Sequence, residues 1–470
     1  MFIAVFILCA LVIVGAAVAR GPREAAALAL ATSMLVPNWL LRELGATLID
    51  MRIACALLAV GCVALHPQTR WKLRPNLADF LVVALVVSQI VTELSTSEPF
   101  ATALIDIAVQ WLAPYALGRL AWRSFADGER LLPLLAGCCL VLGAWSAFES
   151  ITRINPVQIA LGYAGSLQGL TDIRWGMKRA DGPLMHPIFF GLQMVVLYPF
   201  ALAASRRARE GLGPKWWRFA PWAAAAGAFF TMSRGPQIGI AATLLTTTAI
   251  LSPRLRWPIL VPAILAAGLL WSGRDAVIDL LHHWSGERPT TAIEIRGEWV
   301  PYSGTTHRIL QVRVYEEALA HAGWSGYGTA ALVGTTQKIP YVEEHLRQMF
   351  ASIDNHYLQF TLLYGYAGLA LFLGLCLLGA WYASTLLRSD DGGFRALGAA
   401  TFGALVVLTV LFGTVWLAAD IRFPLMALVG AAGGMAASRK PADEPSAWTK
   451  SVPRLAPLRL VPGHPAFHTT

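Results

Sequence analysis

The sequence predicts an all-α fold: a polytopic transmembrane helix bundle of about 12–13 spans with one large outward loop that carries short helices of its own. Three observations carry this. Apolar residues make up 56% of the chain and charged residues only 14%. Apolar runs of about 17 residues or more recur from end to end, each enough to cross a hydrocarbon core of roughly 30 Å. Basic residues fall in every second connection between those runs, as expected of loops on the cytoplasmic side.

The first run, residues 2–19, has no basic segment before it and no clear small-residue cleavage site after it, so it reads as a span and not as a signal peptide. Further spans are expected near 24–41, 53–66, 77–93, 101–118, 131–148, 186–204, 218–232, 236–252, 257–272, 355–385, 396–417 and 421–437. The basic connections are those with Arg20 and Arg23, with Arg70, Lys72 and Arg74, and with Arg119, Arg123 and Arg130. They continue with Arg206, Arg207, Arg209 and Lys215, then Arg254 and Arg256, then Arg388 and Arg395. Placing all of them in the cytoplasm puts the N-terminus outside; a re-entrant early span is the alternative. These loops account for much of the formal charge of +9 without a nucleic-acid partner. Cys9, Cys55, Cys62, Cys138, Cys139 and Cys376 all lie in apolar runs and read as small buried hydrophobes.

Two long connections face outward, residues 149–185 and 273–354. Residues 275–284 carry apolar positions at helical spacing and suit a helix on the membrane surface. Residues 306–321 read as a second helix, closed by Gly323 and the turn Gly326-Tyr327-Gly328. The chain therefore divides into a membrane domain, 1–437, and a Pro-rich polar tail, 438–470, expected to be disordered and cytoplasmic.

The outward loops break the charge rule, with Arg153, Arg174, Lys178, Arg179, Arg274, Arg288, Arg296, Arg308, Arg313, Lys338 and Arg347. An anionic partner outside is one explanation, because the planar guanidinium fork matches phosphate; internal ion pairs are the other. Arg313, with Glu316 and Glu317 three and four residues on, fits pairing along a helix. Arg308 has no acid at those spacings and is the better ligand candidate.

Three sites stand out. In Arg179-Ala-Asp-Gly-Pro-Leu-Met-His186-Pro187-Ile-Phe-Phe-Gly191 the histidine precedes a helix-starting proline, as a positioning group or a plain interfacial anchor. In Met232-Ser233-Arg234-Gly235-Pro236 the arginine either snorkels or points into the bundle. The third is Asp354-Asn355-His356, where the loop enters a span and polar groups are costly. Asp354 or His356 can take a proton from a hydroxyl, and Asp354 or Asn355 can cap the helix; the roles are compatible. There is no Walker loop, no Gly-x-Gly-x-x-Gly after a strand, no His-Glu-x-x-His, no paired-cysteine site and no Asp-x-Asp, so neither metal nor soluble cofactor is expected.

Together these pieces resemble the O-antigen ligase and polymerase superfamily of membrane glycosyltransferases, from about residue 110 to 385. The matching stretches are Tyr115 to Arg119, Arg179 to Gly191, Ser233-Arg234-Gly235, Arg308 ahead of Gly326-Tyr327-Gly328, and the Asn355 block. The family signature is His followed by Asn, Ser or Gln, with Gly-x-x-Gly nine residues later. Asn355 takes the amide place, Gly365 and Gly368 the glycine places, and Asp354 the histidine place, leaving His356 on the other side of Asn355. The resemblance implies a GT-C-like enzyme of the bacterial inner membrane with its site facing the periplasm. It implies a metal-independent, inverting transfer from a glycan on undecaprenyl diphosphate. Arg234 and Arg308, with Arg179, would hold the diphosphate. Asp354, or else His356, would be the base, and Asn355, His186 and Ser233 would position substrate.

The acceptor is another lipid-linked repeat in a polymerase, lipid A core in a ligase, or a protein hydroxyl. The forms Arg-x-x-Gly-Pro-x-x-His-Pro-Ile and Asp-Asn-x-Tyr-Leu favour the exopolysaccharide polymerase branch. A chain-length regulator and a flippase are then expected partners, beside membrane lipids. A flippase or other polysaccharide transporter would need short loops on both faces and polar groups near the midplane, and the polar weight of residues 273–354 speaks against it.

Overall fold

The computed structural model describes residues 2–438 except 38–39, 45–46, 67–74, 96–99, 123–124, 161–172, 185, 253, 260, 263–264, 266–290, 332–337, 390–391, 416 and 418. The expected surface helix at 275–284, most of the span at 257–272 and the tail beyond 438 lie outside the described residues.

Helices α1 (Phe2–Arg20) and α2 (Pro22–Leu35) lead into a hairpin, β1 (Leu41–Leu44) and β2 (Thr47–Asp50). Then follow α3 (Met51–Leu65), α4 (Leu77–Ser95), α5 (Phe100–Ala121), α6 (Phe125–Thr152) and the short α7 (Pro156–Ala160). A second hairpin, β3 (Ile173–Arg174) and β4 (Met177–Lys178), precedes α8 (Pro187–Arg209), α9 (Ala220–Phe230) and α10 (Arg234–Leu251). A third, β5 (Thr291–Ile295) and β6 (Glu298–Tyr302), opens a loop module with α11 (Gly304–His321) and α12 (Glu344–Met349). The chain re-enters the bundle with α13 (His356–Leu386), α14 (Gly392–Leu411) and α15 (Ala419–Ser438).

The architecture is the expected all-α polytopic bundle. Among the described residues, six helices are long and apolar enough to cross a membrane by themselves: α1, α4, most of α6, α8, α13 and α14. The expected span at 24–41 is shorter, ending at Leu35, and Leu41 instead opens a hairpin. No strands are expected from the sequence. All three hairpins are antiparallel two-strand units, and the first delivers Asp50 as the cap of α3, accepting from the Ile53 amide at 2.8 Å.

Helix α8 is the hub. Every residue from Phe189 to Ala201 is buried, so an apolar circumference replaces the usual one-sided stripe. On α1, by contrast, Leu8, Leu11 and Val18 are exposed, as on a lipid-facing helix. Helices α5 and α15 lie backbone to backbone, with Gly430 against the Tyr115 carbonyl and Gly118 against that of Ala427. Small residues allow this approach where no water drives the helices together.

Helix α13 is broken. Gly365 has φ 66° and ψ −171°, a conformation that glycine alone adopts readily. The break is sharp: the His356 ring lies 4.9 Å from that of Phe372, sixteen residues on, where a straight helix would separate them by about 24 Å. Residues 356–364 thus form a half-helix folded back against the rest. Its interrupted backbone is satisfied by the loop module: the amides of Tyr327 and Gly328 donate to the carbonyls of Leu362 (2.7 Å) and Leu363 (2.9 Å), and that of Tyr366 to Gly323 (3.0 Å). The half-helix also joins two cores. Leu358 and Leu362 pack with Ile293, Val314, Tyr315 and Phe350 of the loop module, while Phe360 and Tyr364 face the bundle. On the bundle side, Glu93 of α4 accepts from the Thr329 amide (2.9 Å) and hydroxyl (2.7 Å), fixing the module to that end of the bundle.

Candidate active site

Helix α11 begins as its sequence dictates, with Ser303 and Thr306 capping one another in a reciprocal box. Arg308, Gln311 and Tyr315 then fall at i, i+3 and i+7, on one face. That face holds the strap of residues 350–354. The Tyr315 hydroxyl donates to the Phe350 carbonyl at 2.9 Å. The Gln311 amide nitrogen donates to the Ser352 carbonyl at 2.5 Å, and its oxygen accepts from the Asp354 amide at 3.0 Å. Arg308 Nε meets Asp354 Oδ2 at 3.2 Å, and the Ser352 hydroxyl donates to Oδ1 at 3.2 Å. The carboxylate is thereby fixed from both oxygens and from its own backbone, yet it and Arg308 stay open to solvent.

Behind Gln311 stands His307, stacked on Phe350 with ring centroids 4.6 Å apart. Because the Asp354 amide fixes the Gln311 oxygen, the Gln311 nitrogen is what faces His307 Nε2 at 3.0 Å. Nε2 therefore accepts, and the proton sits on Nδ1, which reaches the Tyr302 hydroxyl at 3.1 Å. Burial holds His307 below the ordinary histidine value of 6.5, against the Ser352 carbonyl (3.5 Å from Nε2) and the Asp354 charge, which favour the protonated ring.

Asn355 caps the half-helix, accepting from the Leu358 amide at 3.1 Å. This cap sends its neighbours apart. Asp354 stays on the loop side, whereas His356 is 4% exposed and packs among Phe360, Phe372 and Phe412. The structure brings Arg308 and Asp354 together and does not bring His356 to them.

A second group forms at the β3–β4 hairpin. Arg179, just beyond β4, donates to the Thr231 carbonyl (3.0 Å) and to the Ser233 hydroxyl (2.7 Å). Arg174 donates to the Met232 carbonyl, and the Ala180 amide to that of Phe230. Together they hold the tight turn 230–233, in which Met232 takes a left-handed φ of 50°. Ser233 is buried there, and Arg234 opens α10 directly after it, partly exposed. His186 is exposed at the start of α8, its ring 4.5 Å from that of Phe189.

The hairpin is anchored by a pair that the sequence does not suggest. Lys178 Nζ lies 2.7 Å from Glu149 and 3.4 Å from Asp181, with Glu149 fully buried. Burial pulls the Lys178 pKa down, but these two carboxylates outweigh it and the net shift is upward. Several other outward cations follow the second of the two expectations and find partners within the chain, at more exposed positions. Arg296 pairs with Glu316, Arg347 with Glu344, and Arg153 binds the Gly176 carbonyl. Arg313 pairs with Glu298 rather than with Glu316 or Glu317, because the β5–β6 hairpin brings Glu298 against α11.

Residues 219–373 match the O-antigen ligase family model (Wzy_C). This match supports a place for the chain in the O-antigen ligase and polymerase superfamily. Its members are membrane glycosyltransferase-like enzymes, ligases and polymerases. The matched segment runs from the start of α9 to the second half of α13 and holds Ser233, Arg234, Arg308, Asp354 and the break at Gly365. Arg179 and His186 precede it. No curated protein sequence matches the chain.

Proposed function

We propose that this protein is a polysaccharide polymerase of the bacterial inner membrane, with its site on the periplasmic side. It transfers a glycan from undecaprenyl diphosphate to a hydroxyl of another lipid-linked repeat, without a metal and with inversion. The observation that carries this reading is the Arg308–Asp354 pair at 3.2 Å, held by Gln311 at the mouth of the bundle. An incoming diphosphate competes with Asp354 for Arg308, which together with Arg234 stabilises the negative charge that builds on the diphosphate as it leaves. Asp354 then turns to the acceptor hydroxyl as general base. The acceptor oxygen bonds to the anomeric carbon from the face opposite the diphosphate. The carbon–oxygen bond to phosphate breaks with its electron pair, and the hydroxyl proton passes to Asp354.

Arg179 and Ser233 serve by fixing the turn from which Arg234 projects, and Asn355 by aiming Asp354 away from the bundle. The test is purified protein in liposomes with a lipid-diphosphate oligosaccharide and a chelator. A ladder of longer lipid-linked products is expected. Intact repeats moved across the bilayer without extension, or transfer only to lipid A core, would contradict the reading.

A further inference from the structure

Two arginines stand in the first turn of their helices at the end of the bundle that bears the loop module, and they are treated differently. Arg52 on α3 is neutralised by two carboxylates, its Nη2 meeting Asp50 at 3.1 Å and Asp420 at 2.8 Å, although its Nε is buried without a hydrogen-bond partner. Arg422 on α15 has no carboxylate within ion-pair distance among the described residues. Its Nη1 donates to the Gln110 side chain, its guanidinium lies 5.0 Å from the Trp111 ring centroid, and its Nε is buried without a partner. Asp50 and Asp420 act on it only at a distance, and both are already taken by Arg52.

The same aromatic wall carries His356. Trp111 lies edge-on to Phe360 (6.1 Å) and Phe372 (6.3 Å), which in turn flank the imidazole. Neither ring nitrogen of His356 makes a hydrogen bond of ordinary geometry, although the Gln359 side chain interacts with the ring, and the Arg422 charge acts on it. His356 is also the first residue of the half-helix, where the helix dipole presents its positive end. A buried imidazole and a guanidinium with unspent donors, at a half-helix N-terminus, suit an anion and no cation. Arg422 is itself partly exposed, which leaves an entry.

We propose that Arg422, Gln110 and His356 form a second anion site that takes the diphosphate of the acceptor lipid, while Arg308 and Asp354 serve the donor. This rests on the polymerase reading above, which requires two lipid-linked substrates at once. The guanidinium fork and the Gln110 amide recognise the phosphate oxygens, and the aromatic wall excludes water from them.

The test is native mass spectrometry of the full chain in nanodiscs titrated with undecaprenyl diphosphate. Wild type is expected to hold two lipids. Arg422→Gln should hold one, with the second bound at least about tenfold more weakly. Gln110→Leu, which leaves the buried charge in place, should weaken the same lipid if Arg422→Gln does not fold. Inorganic pyrophosphate should displace the second lipid from wild type; no displacement at saturation would overturn recognition through the phosphates. Two lipids on Arg422→Gln with unchanged affinity would overturn the second site alone. Wild type that binds no lipid would instead overturn the donor reading on which it rests.

Discussion

Asp354 and His356 are two residues apart and live in different solvents. Asp354 sits on the strap of the loop module, tied to Arg308, Ser352 and Gln311 and reachable from water. His356 is enclosed by three phenylalanines on the bundle side of the half-helix. Asn355 between them makes the difference, because its cap turns extended chain into helix and swings the next side chain inward. Environment, more than residue type, separates the two candidate bases. A histidine is the better base at neutral pH in the abstract, but only the aspartate meets solvent beside a cation.

The comparison can be broken at several points. Among the groups that surround Asp354, the largest effect is expected from Arg308→Ala, which removes the charge beside it: kcat/KM for chain extension should fall roughly 10²–10³-fold, with Tm nearly unchanged. An equal loss of Tm would make Arg308 a structural residue. Gln311→Leu should cost about 10²-fold in rate, because it frees the Asp354 backbone and the Ser352 carbonyl together. It should also lower stability by about 1–3 kcal/mol, since two part-buried hydrogen bonds are lost. Activity that survives Gln311→Leu intact would mean that the strap needs no clamp.

A pH effect comes next. His307 is held below its ordinary value of 6.5, so the folded state binds that proton more weakly than the unfolded chain. The stability that it contributes is complete above about pH 6.5 and is lost as pH falls from there toward the folded pKa. Protonation puts a hydrogen on Nε2 against the Gln311 donor and loosens the clamp. Thermal scans between pH 7.5 and 5 should show this slope, and His307→Gln should flatten it. The smallest effect is expected from Arg313→Ala. Its partner Glu298 is exposed, and such pairs contribute about 0–1 kcal/mol. Rate and stability should both stay near wild type, in contrast with Arg308 five residues before it.

Much of this was legible in the sequence. Basic loops and apolar runs locate the helices, 306–321 reads as a helix, and Arg308 stands out for want of a local acid. Gln311 and His307 were not legible, because polar residues at i and i+4 on a loop helix usually face water. The break at Gly365 was hidden as well: a glycine in an apolar run is common, and the backbone of Trp324 and Ser325, which leaves no room for a side chain there, comes from a distant part of the chain. Glu149 and Lys178 find each other across 29 residues, a pairing that no local pattern announces. Arg422 looks like an ordinary interfacial cation until its neighbour Arg52 proves to hold both available carboxylates.

The most direct measurement is the single-turnover rate of glycan transfer in liposomes for Asp354→Asn beside His356→Phe. The predicted result is a loss of about 10³-fold or more for Asp354→Asn, against a loss of at most about tenfold for His356→Phe, felt mainly in KM for the acceptor. A rate for Asp354→Asn within tenfold of wild type, with His356→Phe inactive, would contradict the account and return the proton chemistry to the histidine.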